Sequence, residues 1–459
     1  MNYKPVSLSG ADPAGILYTD GKRYLRGVHD EGLVSVNKLL DSGLIETLWQ
    51  KGLIPKTTVL DKGSIPVALA AYPLVLEHES IEPLSYPREW SFEMLKEVAL
   101  AFIDLVKTLY TKGFTCKDAH LFNWAFRGIH PVWLDISSFE LVNKKGSGIP
   151  WITEFFTSIL GPLLMWGKGM PFLASKAVSS PIQTPPLEES LLALQSNFGY
   201  QIPIIRNILL KINKIIVTRN ITVSTIITRL LKPLLGDLFY THIKSLRKRV
   251  KNITFLSSST WGQYHNDFLD THGHIIFDTR FKRIIELLNE YTPSSVLELA
   301  GNAGVVSQAI AEKYPELHVL CTDYDPNAID CFFRRVHQNA PSNLYMAVLN
   351  FMVPENSSAE TAPDLRFRSD CVLALAVTHH LLLGQGYNYD QVFSAIATYS
   401  KKIVFIEFMP LGLHDGVSAP PTPPWYTQKE FQKSFCDYFE LLKIEQLDEN
   451  RVLFIGQIK

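Results

Sequence analysis

Two acidic residues end consecutive apolar runs in the C-terminal half of the chain, Glu298 after SSVL and Asp323 after HVLCT. The loop between them lies before a helical segment and consists of Ala300, Gly301, Asn302, Ala303 and Gly304. Small residues let backbone approach a ligand closely, and the first N–H groups of a helix point at it. A carboxylate after the second strand can accept hydrogen bonds from both hydroxyls of a ribose. The spacing predicts a nucleotide-type cofactor, although the loop departs from G-x-G-x-x-G and a dinucleotide such as NAD stays an alternative.

Polar residues also follow the next three apolar runs, and they are Asn350, Thr378, His379, His380 and Glu407. Asn350 can contact an adenine amino group or simply stabilise a turn. Either His379 or His380 can act as a general base near an acceptor, or can be a capping or packing histidine. We predict His379, His380 and Glu407 as the catalytic candidates, because ligands of open α/β sheets bind beyond the carboxyl ends of the strands.

The elements that must position these residues alternate between strands and helices from about residue 261 onward. Apolar runs such as SVLELA, HVLCTD, LYMAVLN and KIVFIEFM are separated by helical segments, which is typical of parallel βαβ units. The last two runs are joined only by DEN and are predicted to form an antiparallel hairpin at the sheet edge. The order predicts an α/β fold over residues 256–459, with a Rossmann-like sheet of seven strands.

This region resembles the class I S-adenosylmethionine-dependent methyltransferases, and in particular the two-part bacterial proteins related to the nodulation host-specificity protein NoeA. The resemblance lies in ELAGNAGVVS, TDYDP, VLALAVTHHL and VFIEFMP. It implies S-adenosylmethionine as the cofactor, with Tyr324 and Thr378 joining the loop and strand-end residues around it. Ala300 replaces the usual first glycine of this family, and Asn350 stands where an Asp is common.

The segment STWGQYHNDF precedes the first strand of this region, where such enzymes often have a lid over the cofactor. Trp261 and Tyr264 are the predicted lid aromatics, with interdomain packing as the alternative. Methyl transfer requires no metal, and we see no metal-ligand cluster in this half of the sequence. The acceptor is expected to be a small molecule, a glycan or a carrier-bound intermediate.

Residues 1–145 carry a second group of polar residues, Asp118, Asn123 and Asp135, which follows a long amphipathic helical segment. Their spacing resembles that of kinase-like folds, in which the first Asp orients a hydroxyl and the other two hold magnesium. The only candidate for a phosphate-binding glycine loop, GADPAG at 10–15, does not match G-x-G-x-x-G. Arg26 or Lys22 takes the place of the lysine of kinases, and Glu46 is the candidate for the helix glutamate that pairs with it. The NoeA-like family shares this region through YPREWSF, KDAHLFNWAF and PVWLDISSFE, with His120 in place of a usual Ser.

Three interpretations of this N-terminal region stay open: an active small-molecule kinase, a nucleotide-binding pseudokinase and a substrate-recognition scaffold. The alternative without function is that Asp118 and Asp135 only stabilise local turns. We favour a scaffold or a pseudokinase, because a fold does not by itself establish an activity.

Composition and charge constrain the remaining choices. The chain has 459 residues, a net charge of −1 and 46% hydrophobic residues, which gives no indication of nucleic acid as a partner. Residues 146–255 are predicted to be a helical connecting region, and 201–251 hold eleven Lys or Arg and one acid, either for an anionic partner or as a solvated helix face. No signal peptide, transmembrane run or paired-cysteine motif is visible, so we expect a cytoplasmic protein. The sequence does not indicate the oligomeric state.

Overall fold

The computed structural model describes residues 3–6, 12–142, 151–179, 237–255, 279–356, 360–414, 418 and 420–459. The chain divides into two compact units. The first comprises Met1–Glu82, Tyr86–Arg88 and Met94–Leu256, and the second comprises Pro83–Ser85, Glu89–Glu93 and Ser257–Lys459. Trp261, Tyr264 and most of the basic stretch 201–251 lie outside the described residues.

The first unit contains an antiparallel sheet of five described strands in the order β1–β2–β3–β5–β4, and two two-stranded sheets, β6–β9 and β7–β8. Asp20-Gly21 lies in a hairpin turn between β2 and β3, where Thr19 pairs with Tyr24 in antiparallel register. The Asp20 carboxylate accepts hydrogen bonds from the backbone of Lys22 and Arg23 at 2.9 and 2.8 Å, which stabilises the turn. The strands are β1 (Lys4–Pro5), β2 (Gly15–Thr19), β3 (Tyr24–Val28), β4 (Thr57–Val59), β5 (Leu74–His78), β6 (Phe114–Cys116), β7 (Trp124–Arg127), β8 (His130–Trp133) and β9 (Phe139–Leu141).

Helices follow the sheet in the same part of the chain. The predicted long amphipathic helix is present as α3, whose apolar stripe is buried at positions such as Leu95, Val98 and Phe102. The α-helices are α1 (Asp30–Asp41), α2 (Leu44–Gln50), α3 (Phe92–Thr111), α4 (Ile152–Glu154), α5 (Gly161–Gly167), α6 (Pro171–Val178) and α7 (Asp237–Lys251). Shorter turns are the 3-10 helices Lys62–Ser64, Val67–Leu69, Pro87–Glu89, Leu121–Asn123 and Ile136–Ser138 and the π-helix Phe155–Leu160.

The second unit is an α/β fold, as predicted. Its sheet has the order β12–β11–β10–β13–β14–β16–β15, with the first five strands parallel and the last two antiparallel. The central strands are almost entirely buried because helices cover both faces, whereas edge strand β15 alternates buried and exposed residues. The strands are β10 (Ser295–Leu299), β11 (His318–Asp323), β12 (Leu344–Val348), β13 (Ser369–Ala374), β14 (Ser400–Phe408), β15 (Phe439–Asp448) and β16 (Arg451–Ile458).

The helices of this unit are set by recognisable caps. The Asp325 side chain accepts a hydrogen bond from Asn327 N at the start of α10, and Asn388 and Gln391 form a capping box at α12. Aromatic rings of α12 and α13, among them Phe393, Phe431 and Phe435, form the centre of the core on that side of the sheet. The helices are α8 (Thr279–Tyr291), α9 (Val305–Lys313), α10 (Pro326–Val336), α11 (Pro363–Arg366), α12 (Tyr389–Tyr399) and α13 (Gln428–Tyr438), with a π-helix at His380–Gly384.

Two short segments from near residue 90 belong to the second unit, and we call Pro83–Ser85 and Glu89–Glu93 together the strap. Glu89 and Arg366 form a buried ion pair, with Arg366 Nη1 and Glu89 Oε2 3.0 Å apart, and Arg366 also donates to the carbonyl of Leu84. The Asp330 carboxylate accepts a hydrogen bond from Glu93 N at 2.8 Å. The strap therefore completes the second unit from a part of the chain that the sequence assigned to the first.

No helix in the described ranges is long and apolar enough to cross a membrane.

Candidate functional site

The loop after β10 has an unusual backbone, because three of its residues adopt positive φ. Ala300, Asn302 and Gly304 have φ values of 53°, 52° and 63°. This region is unfavourable for alanine by about 1–2 kcal/mol, so the surrounding contacts must hold it. Gly301 N donates to Thr322 O and Gly304 N donates to Gly301 O, both at 2.9 Å. The loop is thus tied to the end of β11 and turns sharply into α9.

Gly301 and Gly304 are required by close contacts. A Cβ on Gly301 would lie 2.7 Å from the Cys321 sulfur, and a Cβ on Gly304 would lie 2.2 Å from the ring of Phe332. Both distances are shorter than real Cβ contacts allow. The two glycines therefore let the loop lie directly against β11, which ends at Asp323, and against α10, which follows the turn after Asp323.

Asp323 joins the loop to the end of β11. Its carboxylate accepts hydrogen bonds from Asn302 N at 2.8 Å and from Asp325 N at 2.9 Å, one on each oxygen. Burial raises the pKa of Asp323 to about 6, while these backbone donors oppose the rise. Since a carboxylate has about four lone-pair sites, each oxygen retains capacity for a further donor. The carboxylate is therefore both an anchor for the loop and a possible acceptor for ligand hydroxyls.

Glu298 lies against the same loop, where a Cβ on Gly301 would lie 2.8 Å from its Cδ. Its carboxylate is only 3% exposed and accepts hydrogen bonds from the Ser307 backbone N–H, at 3.1 Å, and from the Ser307 hydroxyl. Burial raises its pKa to about 7. These contacts make Glu298 a link between β10 and the first turn of α9.

Tyr324 and Asn350 follow the ends of β11 and β12. The Tyr324 side chain is 51% exposed, which is high for an aromatic ring beside a buried carboxylate. Asn350 is also exposed, and its side-chain oxygen accepts hydrogen bonds from Met352 N at 3.2 Å and Val353 N at 3.3 Å. Asn350 thus stabilises a turn, which was the alternative to an adenine contact. Its amide nitrogen takes no part in these two hydrogen bonds.

His379 and His380 follow the end of β13, after Ala376 with φ of 50°. Their rings are tilted against each other, with centroids 4.0 Å apart. Burial lowers the pKa of His379 to about 3, with smaller contributions from His380 and Arg451, and burial also lowers the pKa of His380. Both imidazoles are therefore neutral near pH 7. His379 Nδ1 is buried and has no hydrogen-bond partner within the described ranges.

Glu407, near the end of β14, is fully buried in an ion-pair cluster. Its two oxygens accept hydrogen bonds from Arg280 Nε and Nη2, each at 2.7 Å, and Arg451 Nη1 lies 3.4 Å from one of them. Its backbone carbonyl accepts a hydrogen bond from the Thr378 hydroxyl at 2.7 Å. The carboxylate is therefore engaged by two cations, and Thr378 connects the ends of β13 and β14.

Arg280 was not predicted from the sequence. It lies on α8, and its partner follows 127 residues later, so no local pattern connects the two. The only sequence signal is an arginine on the buried side of an amphipathic helix.

The first unit places Asp118, Asn123 and Asp135 in a separate polar cluster. Asn123 Nδ2 donates to Asp118 Oδ2 at 3.1 Å, and His120 N donates to Asp118 Oδ1 at 2.8 Å. Burial raises the pKa of Glu154 to about 8, and its hydrogen bond with Asp118 adds to the rise. The Asp118 carboxylate is therefore contacted by the His120 N–H, the Asn123 amide and the Glu154 carboxyl.

Arg26 neutralises the other acids of this cluster. Its guanidinium lies 3.2 Å from Asp135 Oδ1 and 3.6 Å from Asp12 Oδ2, and it donates to Ser137 Oγ at 3.0 Å. The expectation that Glu46 pairs with Arg26 is wrong. Glu46 lies exposed on α2, accepts a hydrogen bond from Gln50 at 2.7 Å, and Arg26 has nearer carboxylates.

Among the described residues, no group of three or more His, Cys, Asp or Glu side chains is arranged to hold a metal ion. Asn123 and Asp135 do not form such a group by themselves, and their assignment as magnesium ligands stays a prediction. Gly10 and Ala11 of the proposed glycine loop lie outside the described residues, as do the predicted lid aromatics.

Comparison with known proteins gives two kinds of match. A family model described as lysine methyltransferase matches residues 271–384. The nodulation protein NoeA of Rhizobium meliloti (strain 1021) is 24% identical over 418 residues, which are 86% of this chain and 79% of that protein. The family match includes the loop, Asp323 and the two histidines and ends before Glu407.

Solved structures are similar over parts of the chain. Magnesium protoporphyrin IX methyltransferase (ChlM) from Synechocystis PCC 6803, solved with bound SAM, is 10% identical with a TM-score of 0.31, over 50% of this chain and 96% of that one. A protein from Pyrococcus horikoshii OT3 is 15% identical with a TM-score of 0.34, over 44% of this chain and all of that one.

Proposed function

We propose that this chain, which is an S-adenosylmethionine-dependent methyltransferase, methylates a small molecule, a glycan or a carrier-bound intermediate at the carboxyl edge of its second unit. The observation that carries the proposal is the strained loop at 300–304 held against the Asp323 carboxylate. Such strain is retained where a backbone conformation serves a ligand.

The residues at this edge fit the cofactor by their chemistry. Asp323 is assigned to the ribose hydroxyls, Tyr324 to one face of the adenine and Asn350 to the adenine edge. Ala300, Gly301, Asn302 and Gly304 are assigned to the methionine part, because the start of α9 favours a carboxylate. Glu298 holds this loop in place through α9, and Thr378 fixes the β13 end. Trp261 and Tyr264 stay predicted lid residues.

When bound, S-adenosylmethionine supplies a methyl group whose bond to sulfur breaks, leaving the electron pair on sulfur, while the acceptor atom forms the new bond and releases its proton. The protein's part is to align the acceptor in a dry site and to take that proton. We assign the base to His380 in the first place and to His379 in the second, because both follow β13 but burial lowers the pKa of His379 to about 3 and so makes it the weaker proton acceptor. Glu407 keeps Arg280 and Arg451 in position beside them and acts through those contacts.

The description of the matched family raises a second candidate acceptor, a protein lysine. It differs from the first in charge, since a lysine must lose its proton before it attacks. The two kinds of acceptor are distinguished by identifying the molecule that carries the transferred methyl group.

We propose that the first unit is a scaffold or a nucleotide-binding pseudokinase. The pairing of Arg26 with Asp135 and Asp12, and of Asp118 with Glu154 and Asn123, supports this, because the cluster neutralises its own charges. A small-molecule kinase centred on Asp118, Asn123 and Asp135 is the alternative. It requires magnesium-dependent ATP binding that is lost in Asp135→Ala, and calorimetry with and without magnesium separates it from a scaffold. Transfer of the γ-phosphate from labelled ATP to an acceptor separates it from a pseudokinase.

The methyltransferase proposal is tested by titrating the full chain with S-adenosylhomocysteine in a calorimeter. Binding that is weakened in Asp323→Ala supports the assigned site, and an absence of heat at millimolar ligand contradicts it. Cell extract incubated with S-adenosylmethionine carrying a tritiated methyl group then identifies the acceptor. The label is followed into a small molecule, a glycan or a protein lysine.

A further inference from the structure

An apolar pocket lies beside the histidine pair in the second unit. It has a volume of about 190 Å³ and is lined by Leu382, Leu383, Leu413, Pro420, Pro421, Pro423 and Trp425. The two leucines belong to the π-helix that begins at His380. The remaining lining residues follow the end of β14, so the pocket is built at the carboxyl edge where the site lies.

Close contacts hold the pocket walls together. Gly412 has φ of 63°, and a Cβ there would lie 2.9 Å from both Leu383 and Thr422. The Tyr426 hydroxyl donates to Met409 O at 3.0 Å. The segments after β13 and β14 are therefore interlocked, and the pocket is a formed feature of this edge.

The wall that faces outward is aromatic. The Trp425 side chain is 45% exposed, and its ring stands edge-on to that of Tyr389, with centroids 5.8 Å apart. A half-exposed tryptophan beside three prolines offers flat apolar surface, which suits a ring or short chain of a ligand. Tyr389 supports the tryptophan from behind and fixes its orientation.

Charge argues against a cationic occupant. None of the seven lining residues carries a charge, and Glu407, near the end of β14, is already bound by Arg280 and Arg451. An ammonium group in the pocket would lose hydration without gaining a charged partner among the lining residues. The volume suits a single substituted ring, since an apolar cavity of roughly 150 Å³ accepts benzene.

We propose that this pocket binds an aromatic ring of the methyl acceptor and that Trp425 determines specificity for it. The inference rests on the proposed function, because it concerns the acceptor of that reaction. It narrows the acceptor class to a neutral aromatic compound whose hydroxyl lies next to His379 and His380.

The probe is 4-ethylphenol, a single substituted ring, titrated into the full chain saturated with S-adenosylhomocysteine. We expect saturable binding that is weakened roughly tenfold in Trp425→Ala, as for aromatic anchors of other binding sites. Leu413→Gln, which introduces a polar group into the same pocket, is expected to weaken binding in the same direction. Leu365→Ala is the control, because Leu365 is 64% exposed on α11, which precedes the amino end of β13.

The outcomes separate this proposal from the one on which it rests. If the chain binds S-adenosylhomocysteine but 4-ethylphenol does not bind, or binds Trp425→Ala and the wild type equally, the pocket assignment is overturned and the methyltransferase site stands. If S-adenosylhomocysteine itself does not bind, both proposals fall. Tritium transfer to a lysine-rich peptide that is undiminished in Trp425→Ala also overturns the aromatic acceptor.

Discussion

Replacing Asp323 by asparagine tests the cofactor site most directly, because the change removes one charge and almost no volume. Both carboxylate oxygens accept a backbone N–H, from Asn302 and Asp325. An asparagine must turn its NH2 group toward one of those donors, so one loop contact is lost. It also presents a single acceptor to the two ribose hydroxyls.

The size of the effect follows from the hydrogen bonds that are lost. Hydrogen bonds to a charged group are worth about 1.5–3 kcal/mol. We therefore expect the dissociation constant of S-adenosylhomocysteine to rise roughly 10- to 150-fold. Isothermal titration calorimetry at pH 8, where the wild-type carboxyl is ionised, measures this directly.

Asp370→Asn is the matched control. Asp370 is as buried as Asp323 and accepts hydrogen bonds from the Ser294 N–H and hydroxyl at 3.1 and 2.7 Å, but it lies at the amino end of β13. It is expected to lower the thermal midpoint while leaving the affinity within about twofold of wild type. If Asp323→Asn binds the ligand as tightly as Asp370→Asn does, the assignment of Asp323 to the ribose is refuted.

Three further measurements address the pH dependence, the loop and the strap. The pKa of Asp323 near 6 implies that the affinity for S-adenosylhomocysteine falls as the pH is lowered through 6, because the protonated carboxyl loses acceptor capacity; calorimetry from pH 5 to 8 should show this, and a flat profile would contradict it. Gly304→Ala should destabilise the protein by more than Gly386→Ala in urea unfolding, since both have positive φ but only the first Cβ meets a buried ring; equal losses would mean that the loop relaxes freely. Glu89→Gln should cost about 3–5 kcal/mol in urea unfolding, because it removes one charge of a buried ion pair, and Arg283→Gln, whose own side chain is 38% exposed, should cost less. Similar losses in the two variants would show that the strap ion pair is not effectively buried.

The sequence predicted the α/β fold well because its signals are local. Apolar runs separated by helical segments, a terminal hairpin around DEN and small residues before α9 each depend on neighbours in the chain. The proposal of Asp323 as a cofactor ligand rests on the same kind of signal, since it ends a strand next to the glycine loop. These features need no knowledge of distant contacts.

Contacts between distant residues were not predictable by the same means. The engagement of Glu407 by Arg280 depends on residues 127 positions apart, and the sequence showed only a strand-end carboxylate. Glu298 was assigned to the cofactor because it ends a strand, and the structure adds a contact that the sequence did not show: one of its oxygens, Oε2, accepts from the N–H and the hydroxyl of Ser307 on α9. Whether a strand-end carboxylate faces a ligand or a neighbouring N–H depends on the direction of its side chain. A pattern of residue types does not specify that direction.

The strap also determines how late during translation the second unit can complete its contacts. Glu89 and Arg366 are 277 residues apart, so at about 5–20 residues per second the arginine is added roughly 14–55 s after its partner. During that interval the Glu89 carboxylate must stay hydrated, because Arg366 is not yet part of the chain. Much of the first unit is by then available to fold. The second unit can therefore finish folding only late in translation. If the ribosome stalls before residue 366, the strap has been synthesised but its arginine partner has not.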